Sequence, residues 1–149
     1  MSIADFLRGK GIQPSQQRMR IYEALAATKA HPSAEAIHRE LCPEMPTLSR
    51  TTVYSTLDLF AARGIAQRLT LSGSEMRYDA DTVPHVHFCC RSCGAVSDLD
   101  GFPVPARPDV PTGYILESSH FHAEGLCPAC AAGLGVPDQG PVASSRAAR

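Results

Sequence analysis

The amino-acid sequence predicts an α+β protein in which helices come first and strands second. Three observations support this prediction. Apolar residues recur at helical spacing up to about residue 64, short alternating segments follow, and the chain after residue 79 is rich in cysteine, histidine and proline. These two periodicities are the main signals of secondary structure in a sequence. A chain of 149 residues can form one ordinary domain or two small ones.

The first half contains three segments with the start and stop signals of helices. Ser15 is a suitable N-cap for a helix that runs to about Thr28, and Ser33 would cap a second helix within HPSAEAIHREL. The third helix lies in TLSRTTVYSTLDLFAARG, where Gly64 provides a C-terminal stop. Its inward-facing residues are predicted to be Val53, Leu57 and Phe60.

The segment after the third helix, IAQRLTLSGSEMRYD, predicts a β-hairpin because its residues alternate around a turn at Ser72-Gly73. Three helices followed by a two-stranded hairpin is the element order of a winged helix. In that fold the third helix enters the major groove of DNA and the hairpin forms the wing. The alternative is a small helical domain with no role in nucleic-acid binding.

Short strands and frequent prolines characterise the chain after Asp79. The segments PHVHFC, AVSDLD and YILESSHFH are strand-like. Prolines at positions 103, 105, 108 and 111 rule out a long helix between the second and the third of these segments. The stretch 133–149 is rich in Gly, Pro, Ala and Ser, and is predicted to be a disordered tail.

The charge distribution also separates the two halves. Residues 1–72 contain nine Lys and Arg against six Asp and Glu, whereas residues 73–149 contain five against nine. A mildly basic first half and an acidic, ligand-rich second half suggest two roles. No apolar run approaches the roughly 20 residues that cross a bilayer, and the N-terminus lacks the pattern of a signal peptide. We therefore expect a cytoplasmic protein, in which thiols stay reduced and clustered cysteines bind metal.

Two CxxC motifs predict a structural zinc site. Each places two thiolates on one tight turn, and four thiolates complete a closed tetrahedral Zn²⁺ site. The four cysteines are Cys90, Cys93, Cys127 and Cys130. The alternatives are two unrelated motifs or a dithiol redox pair. Cys42 and Cys89 are left over, and we expect both to be small buried hydrophobic residues.

The HxH motif of His85 and His87 suggests a second metal site, because residues two apart on a strand share a face. Oxygen ligands nearby in the sequence are Asp79, Asp81, Asp98 and Asp100. Two surface histidines on an edge strand, or a His/His/Cys site that includes Cys89, are alternatives. The segment HAEGLCPAC imitates the signature of zinc deaminases. That interpretation is set aside, because only two residues separate Glu124 from Cys127 and both cysteines belong to the predicted zinc site.

Taken together, the motifs resemble the ferric uptake regulator (Fur) family. The segments HPSAEAIHREL, LSRTTVYSTLDLFAARGIAQRL, RYD, PHVHFCCRSCGAV and GLCPAC occur here in the order seen in that family. The resemblance implies a dimeric, metal-responsive transcription repressor that is not an enzyme. It implies a winged-helix DNA-binding domain at residues 1–79, a hinge at 80–84 and a small α/β metal-binding dimerisation domain at 85–132. By the same likeness the Cys₄ zinc is structural, and a regulatory metal is bound by His31, Asp79, His85, His87 and Asp98.

Within the family, three imidazoles and two aspartates are most similar to the peroxide-sensing (PerR) branch. In that branch site-bound Fe²⁺ reduces H₂O₂ and an adjacent histidine is oxidised, which here would be His31 or His85, whereas Mn²⁺ represses without sensing peroxide. An iron, zinc or manganese sensor without peroxide chemistry and a zinc-dependent enzyme are the alternatives.

On operator DNA we expect base contacts from Thr52 and Tyr54 and phosphate contacts from Arg18 and Arg50. The chain departs from the family pattern at Gln13, Ser55 and Ser119, and in the proline-rich segment 102–111, which replaces a helix of the dimerisation domain. His120 and His122 are weak candidates for a third metal site.

Overall fold

A computed structural model of the chain describes residues 1–70, 75–104, 109–117, 119–138 and 140. Helices occupy the first part and strands most of the second, as predicted. In chain order the elements are α1 (Ile3–Gly9), α2 (Gln16–Ala26), α3 (Ala34–Leu41), α4 (Arg50–Ala62), β1 (Gln67–Leu69), β2 (Arg77–Asp79), β3 (Val86–Cys90), β4 (Val96–Asp98), β5 (Phe121–Gly125) and α5 (Pro128–Gly133).

Each of the three predicted helices begins after a serine. The side chains of Ser15, Ser33 and Ser49 accept hydrogen bonds from backbone N–H groups in the first turns of α2, α3 and α4. Such caps satisfy donors that have no partner within the helix, and each contributes about 1 kcal/mol. The helix after Ser15 ends at Ala26, close to the expected Thr28. Helix α1, capped by Ser2, was not predicted because it is short.

The main hydrophobic core lies among α2, α3 and α4. Val53, Leu57 and Phe60 face it from α4 and are fully buried, which confirms the predicted inward face of that helix. The ring of Phe60 packs edge-on against Tyr22 of α2, with ring centroids 5.8 Å apart. Burying a side chain of this size stabilises a fold by about 1.5–3 kcal/mol. The core therefore fixes α4 by the face that carries these three residues.

Strands β1 and β2 form the predicted antiparallel hairpin, with Gln67 opposite Asp79 and Leu69 opposite Arg77. The predicted turn at Ser72-Gly73 lies outside the described residues. On its other side, β2 bonds to the segment before α3, because Ser33 and Arg77 form a β-bridge and the Tyr78 N–H donates to the carbonyl of Pro32 at 3.0 Å. The hairpin is thus attached to the helical bundle.

A second sheet has the strand order β4-β3-β5. β3 is antiparallel to β4 and parallel to β5. Among the described residues of the predicted strand YILESSHFH, only those at its end form a strand, since β5 begins at Phe121, opposite Val86. The segment begins at a turn in which the Tyr114 N–H donates to the carbonyl of Pro111. The start of β5 is set by its parallel partner, β3.

The leftover cysteines differ in their burial. Cys89 is buried against Leu69 and Val96, as expected. Cys42 is exposed, and the expectation that it is buried was wrong. It directly follows Leu41, the last residue of α3, whose side chain faces the core. A residue one position farther along a helix points about 100° away, and this rotation takes Cys42 into solvent.

The domain limits 1–79, 80–84 and 85–132 stay a prediction. Residues 102–104 and 109–111 of the proline-rich segment contain no helix, and 105–108 lie outside the described residues. Most of the predicted tail, namely residue 139 and residues 141–149, also lies outside them. None of the helices within the described ranges is long and apolar enough to cross a membrane.

Candidate metal centres

Five potential ligands from both halves of the chain meet between the helical bundle and the second sheet. They are His31, Asp79, His85, His87 and Asp98, and their ligand atoms all lie within 4.8 Å of one another. We refer to these five residues as the His/Asp cluster. His31 precedes α3, Asp79 ends β2, His87 lies in β3 and Asp98 ends β4. The fold thus brings together the five residues that the resemblance to the family implied.

The geometry is that of three imidazoles facing two carboxylate oxygens. Oδ1 of Asp98 lies 2.8 Å from His31 Nε2, 3.2 Å from His85 Nε2 and 3.9 Å from His87 Nε2. Oδ2 of Asp79 lies 3.6, 3.0 and 3.2 Å from the same three nitrogens. A cation about 2.1 Å from each ligand atom places neighbouring ligand atoms roughly 3 Å apart and opposite ones roughly 4 Å apart. The distances fit such a cation.

Strand pairing explains how two of the ligands meet. His87 and Asp98 are direct partners in the antiparallel pair of β3 and β4, so their side chains project from the same face. His31 reaches the cluster through an unusual backbone conformation, with φ at +50°, which is uncommon for residues other than glycine. The guanidinium of Arg77 donates to the His31 carbonyl at 3.2 Å and helps to hold this conformation.

Neighbouring backbone groups orient two further ligands. Oδ1 of Asp79 accepts a hydrogen bond from the Asp81 N–H at 2.8 Å, which leaves Oδ2 facing the histidines. Nδ1 of His85 lies 2.7 Å from the Val83 carbonyl, so that Nε2 points into the cluster. A metal-binding imidazole commonly uses its second nitrogen in this way, because the bond fixes both the tautomer and the ring.

The electrostatics of the cluster favour a divalent cation. Burial would raise the pKa of Asp79, but the nearby imidazole of His31 and the hydrogen bond with His87 hold it well below the ordinary value. Burial likewise acts to lower the pKa of His31, and the two carboxylates outweigh it and raise that pKa. Two carboxylates in a site almost closed to water require a counter-charge. Among the described residues, His31 Nε2, His85 Nε2 and Asp98 Oδ1 are buried without a well-aligned hydrogen bond, although they lie close together. A bound cation would give these three atoms a common partner.

The four predicted zinc ligands form a second group. The Sγ atoms of Cys90, Cys93, Cys127 and Cys130 all lie within 4.8 Å of one another. Sγ of Cys93 lies 3.9 Å from Sγ of Cys127, close to the roughly 3.8 Å that separates two sulfurs in a tetrahedral site with Zn–S bonds of 2.3 Å. Parallel pairing of β3 and β5 brings the two motifs together, since Cys90 lies opposite Gly125.

Backbone donors prepare one of these thiols for ionisation. The Cys127 N–H lies 3.3 Å from Cys90 Sγ, and this contact together with the backbone N–H groups of Cys93 and Ser92 lowers the pKa of Cys90 to about 6. Ser92 acts to lower the pKa of Cys130, but the thiols of Cys127 and Cys93 outweigh it and raise that pKa to about 12. Opposite shifts within one group are expected when four thiols share a small space, because a negative charge on one disfavours a negative charge on the next. A cation would remove that conflict.

Comparison with known proteins identifies the family. The family described as "Ferric uptake regulator family" matches residues 9–108. The chain is similar to the peroxide-responsive repressor PerR of Staphylococcus saprophyticus, with 32% identity over 130 residues, which cover 83% of this chain and 86% of that protein. The chain belongs to the ferric uptake regulator family. It is therefore a metal-responsive regulator of the Fur family.

Solved structures of the family have the same fold. The Helicobacter pylori ferric uptake regulator Fur aligns with a TM-score of 0.64 at 22% identity, covering 86% of this chain and 88% of that one. PerR from Streptococcus pyogenes, whose structure addresses peroxide sensing and gene regulation, aligns with a TM-score of 0.50 at 26% identity, covering 86% of this chain and 90% of that one. The α+β fold class, with a winged helix followed by a domain with a Cys₄ site, is thereby confirmed.

Other candidate ligands do not join the His/Asp cluster. Asp81, Asp100 and Cys89 are outside both groups of potential ligands found in the described part of the chain. The carboxylate of Asp81 instead accepts from the Val83 N–H at 3.0 Å. His122 pairs in register with His87, yet neither it nor His120 belongs to a group of three or more ligands among the described residues.

Two of the four predicted DNA-contacting residues lie in the first turn of α4. The Thr52 hydroxyl lies 2.8 Å from that of Ser49, the N-cap residue. Arg50 forms an ion pair with Glu35 of α3 at 3.1 Å. The fold thus places both side chains at the N-terminus of the predicted reading helix, but each has an intramolecular partner.

The other two lie on α4 and α2. Tyr54 directly follows the buried Val53 and lies beside the core face of α4, with 41% of its surface exposed. The Arg18 guanidinium donates to the carbonyl of Gln13 at 2.7 Å. Both Arg18 and Arg50 would have to leave an intramolecular partner to reach phosphates, and their role on DNA stays a prediction.

Sequence reasoning missed one charged residue beside the His/Asp cluster. Nζ of Lys29 lies 3.7 Å from Oδ2 of Asp98, the oxygen that does not face the histidines. Nothing in the local pattern marks Lys29, because its partner lies on a strand far along the chain.

Proposed function

We propose that this protein is a metal-dependent transcription repressor that binds operator DNA as a homodimer and senses peroxide through oxidation of His31 or His85. The observation that carries the proposal is the His/Asp cluster, whose five ligand atoms converge from both halves of the chain. We expect the repressor to act in the cytoplasm, where its DNA is. The Cys₄ group would hold a structural Zn²⁺ and the His/Asp cluster a regulatory Fe²⁺ or Mn²⁺.

The link between metal and DNA follows from which elements the ligands belong to. His31 and Asp79 adjoin the winged helix, whereas His85, His87 and Asp98 adjoin the second sheet. A ligand set shared by both parts holds them in one relative orientation. In a dimer built through the second part, this orientation fixes the spacing of the two α4 helices. Metal binding then selects the DNA-competent arrangement, and by linkage operator DNA tightens metal binding by the same factor.

The peroxide-sensing step is supported by the composition of the cluster and by access to it. Bound Fe²⁺ would reduce H₂O₂ and generate an oxidant beside the imidazoles. His85 is 17% exposed at its side chain and lines a cavity of about 760 Å³, through which a small molecule can approach. His31 is fully buried. An oxidised imidazole is a poorer ligand, so metal would be released and repression would end.

The experiment is peptide mass spectrometry after H₂O₂ is added to Fe²⁺-loaded protein, with Mn²⁺-loaded protein as the control. We expect one added oxygen on the peptide with His31 or His85, in the iron form alone. The peptide with His122, which is exposed and outside the cluster, serves as an internal control. If the histidines stay unmodified while iron is demonstrably bound, the peroxide-sensing function is wrong.

The second candidate is an iron, zinc or manganese sensor without peroxide chemistry. The mixed nitrogen and oxygen ligands favour it equally, since such a set suits Fe²⁺, Mn²⁺ and Zn²⁺. Metal-titrated DNA binding separates the two candidates, because a plain metal sensor keeps its DNA affinity after H₂O₂ treatment. A zinc-dependent enzyme would show turnover, and metal-dependent DNA binding without turnover counts against it.

A further inference from the structure

One contact connects the strand that carries Asp79 to the exposed helix α4. The hydroxyl of Tyr78 in β2 donates to Oδ1 of Asp58 in α4 at 3.2 Å. The same Oδ1 atom lies 2.5 Å from the guanidinium of Arg68 in β1. Asp58 is therefore the point at which both strands of the hairpin are attached to α4.

The other end of this connection lies at the His/Asp cluster. The Tyr78 N–H donates to the carbonyl of Pro32, the residue after His31, at 3.0 Å. Arg77, on one side of Tyr78, donates to the carbonyl of His31 at 3.2 Å, and Asp79 is the next residue on the other side. Any restraint on His31 and Asp79 therefore acts directly on the backbone of Tyr78.

The position of the hydroxyl follows that backbone. Only 2% of the surface of Tyr78 is exposed, and its ring is packed in the main core. A rigid ring in a close-packed core moves with its backbone, because interiors leave little free space. Asp58 in turn lies one helical turn after Tyr54, on the same face of α4. A shift of β2 would therefore act, through the bond between Tyr78 and Asp58, on the side of α4 that is expected to contact bases.

We propose that Asp58 is a positioning residue which, through the Tyr78 hydroxyl, couples occupancy of the His/Asp cluster to the orientation of α4. This proposal rests on the proposed metal-dependent repressor function. Asp58 contacts neither the metal nor the reacting histidines, and it acts through Tyr78 and Arg68. The loss of one neutral-to-charged hydrogen bond in a half-exposed position should weaken the coupling roughly two- to ten-fold.

The test uses Tyr78→Phe, Asp58→Ala and the double variant of the full-length protein. Tyr22→Phe is the matched control, since it also removes one phenolic hydroxyl, from a ring that packs on Phe6 and Phe60. Asp58→Ala is expected to fold even if Tyr78→Phe does not, because Asp58 is exposed and alanine is the best helix former. Mn²⁺ affinity is measured by chelator competition. DNA affinity is measured by fluorescence anisotropy on a duplex selected from a random pool with the Mn²⁺-loaded wild-type protein.

The deciding quantity is the ratio of DNA affinities with and without Mn²⁺. We expect both single variants to lower this ratio roughly two- to ten-fold, while metal-free DNA affinity changes equally little in all variants. We expect the double variant to lose no more than Asp58→Ala alone, because Asp58→Ala already removes the hydrogen bond that Tyr78→Phe removes. The Tyr22→Phe control should keep the wild-type ratio.

Two results would overturn the proposal. If the variants weaken DNA binding equally with and without Mn²⁺, Tyr78 and Asp58 serve only the stability of the domain or contact DNA themselves. If the ratio stays at the wild-type value, the contact carries no coupling. If DNA binding by the wild-type protein does not respond to any metal, the proposed function is wrong together with this inference. That result differs from the two above, because it is seen in the wild-type protein.

Discussion

The Nε2 atom of His31 lies 2.8 Å from Oδ1 of Asp98, across the space between the helical bundle and the second sheet. His31 belongs to the segment before α3, and Asp98 is the last residue of β4. Both side chains are at least nine-tenths buried. The two parts of the chain therefore meet at the His/Asp cluster.

The first prediction concerns the His/Asp cluster. His85→Ala should lower Mn²⁺ affinity at least about ten-fold. Removing a residue that only hydrogen-bonds to a metal ligand already lowers metal affinity by about 10- to 100-fold, and His85 is expected to be a ligand itself. His85 precedes β3 and is partly exposed, so its removal should leave the fold intact. Chelator competition measures the affinity. His122→Ala is the control and should bind Mn²⁺ like the wild type, and unchanged affinity in His85→Ala would contradict the assignment of this ligand.

The second prediction concerns the Cys₄ group. Cys93→Ser should remove zinc and lower the thermal unfolding temperature, because the free energy of structural zinc binding is largely folding free energy. Cys42→Ser replaces another exposed cysteine, one outside the group. That control should keep both the zinc and the unfolding temperature. Elemental analysis combined with thermal unfolding provides the check, and zinc retained at full stoichiometry in Cys93→Ser would argue against a four-thiolate site.

The third prediction contrasts the two faces of α4. Phe60→Ala should destabilise the protein by about 3–5 kcal/mol, since a fully buried aromatic ring is replaced by a cavity. Tyr54→Ala, on the exposed face, should change the free energy of unfolding by no more than about 0.5 kcal/mol. It should nevertheless weaken binding to the selected duplex by about 1–3 kcal/mol if Tyr54 contacts a base. Chemical denaturation and anisotropy measure the two effects, and full DNA affinity in Tyr54→Ala would exclude that contact.

The fourth prediction concerns the pH dependence of stability. Burial raises the pKa of Tyr22 above the ordinary value of about 10. Folding therefore favours the neutral phenol, and this contribution is fully present below about pH 10 and is lost as the pH rises through the higher pKa of the folded state. Tyr22→Phe should lose less free energy of unfolding than the wild type over that range. Denaturant titrations at a series of alkaline pH values test this, and parallel pH profiles of the two proteins would contradict it.

Local signals explain which parts of the fold could be predicted. Ser15, Ser33 and Ser49 cap their helices with donors three residues ahead, so each cap is contained within four consecutive residues. The two CxxC motifs likewise contain half a zinc site each. Contacts between residues that are remote in sequence were harder to predict. The residues alone offered four aspartates for the second site, and only the resemblance to the family favoured Asp79 and Asp98.

The structure gives the physical reason for that choice. Asp98 lies opposite His87 in the register of β3 and β4, and Asp79 turns one oxygen toward the histidines because the Asp81 N–H holds the other. The carboxylate of Asp81 instead accepts a hydrogen bond from the Val83 N–H, two residues along the chain. The start of β5, the exposure of Cys42 and the bond between Tyr78 and Asp58 also depend on partners that are remote in sequence.

The sequence by itself determined the three predicted helices, the caps Ser15 and Ser33, the hairpin, the four thiols of the Cys₄ group and the classes of ligand, imidazole and carboxylate, that the second site offers. These follow from residue types at short spacing, where the backbone allows few arrangements. Only the tertiary structure decided that the ligands from both halves lie within reach of one cation, and that Asp58 is bonded to the strand beside one of them. Such relations depend on strand register and on the packing of one element against another, and no short segment of the chain contains that information.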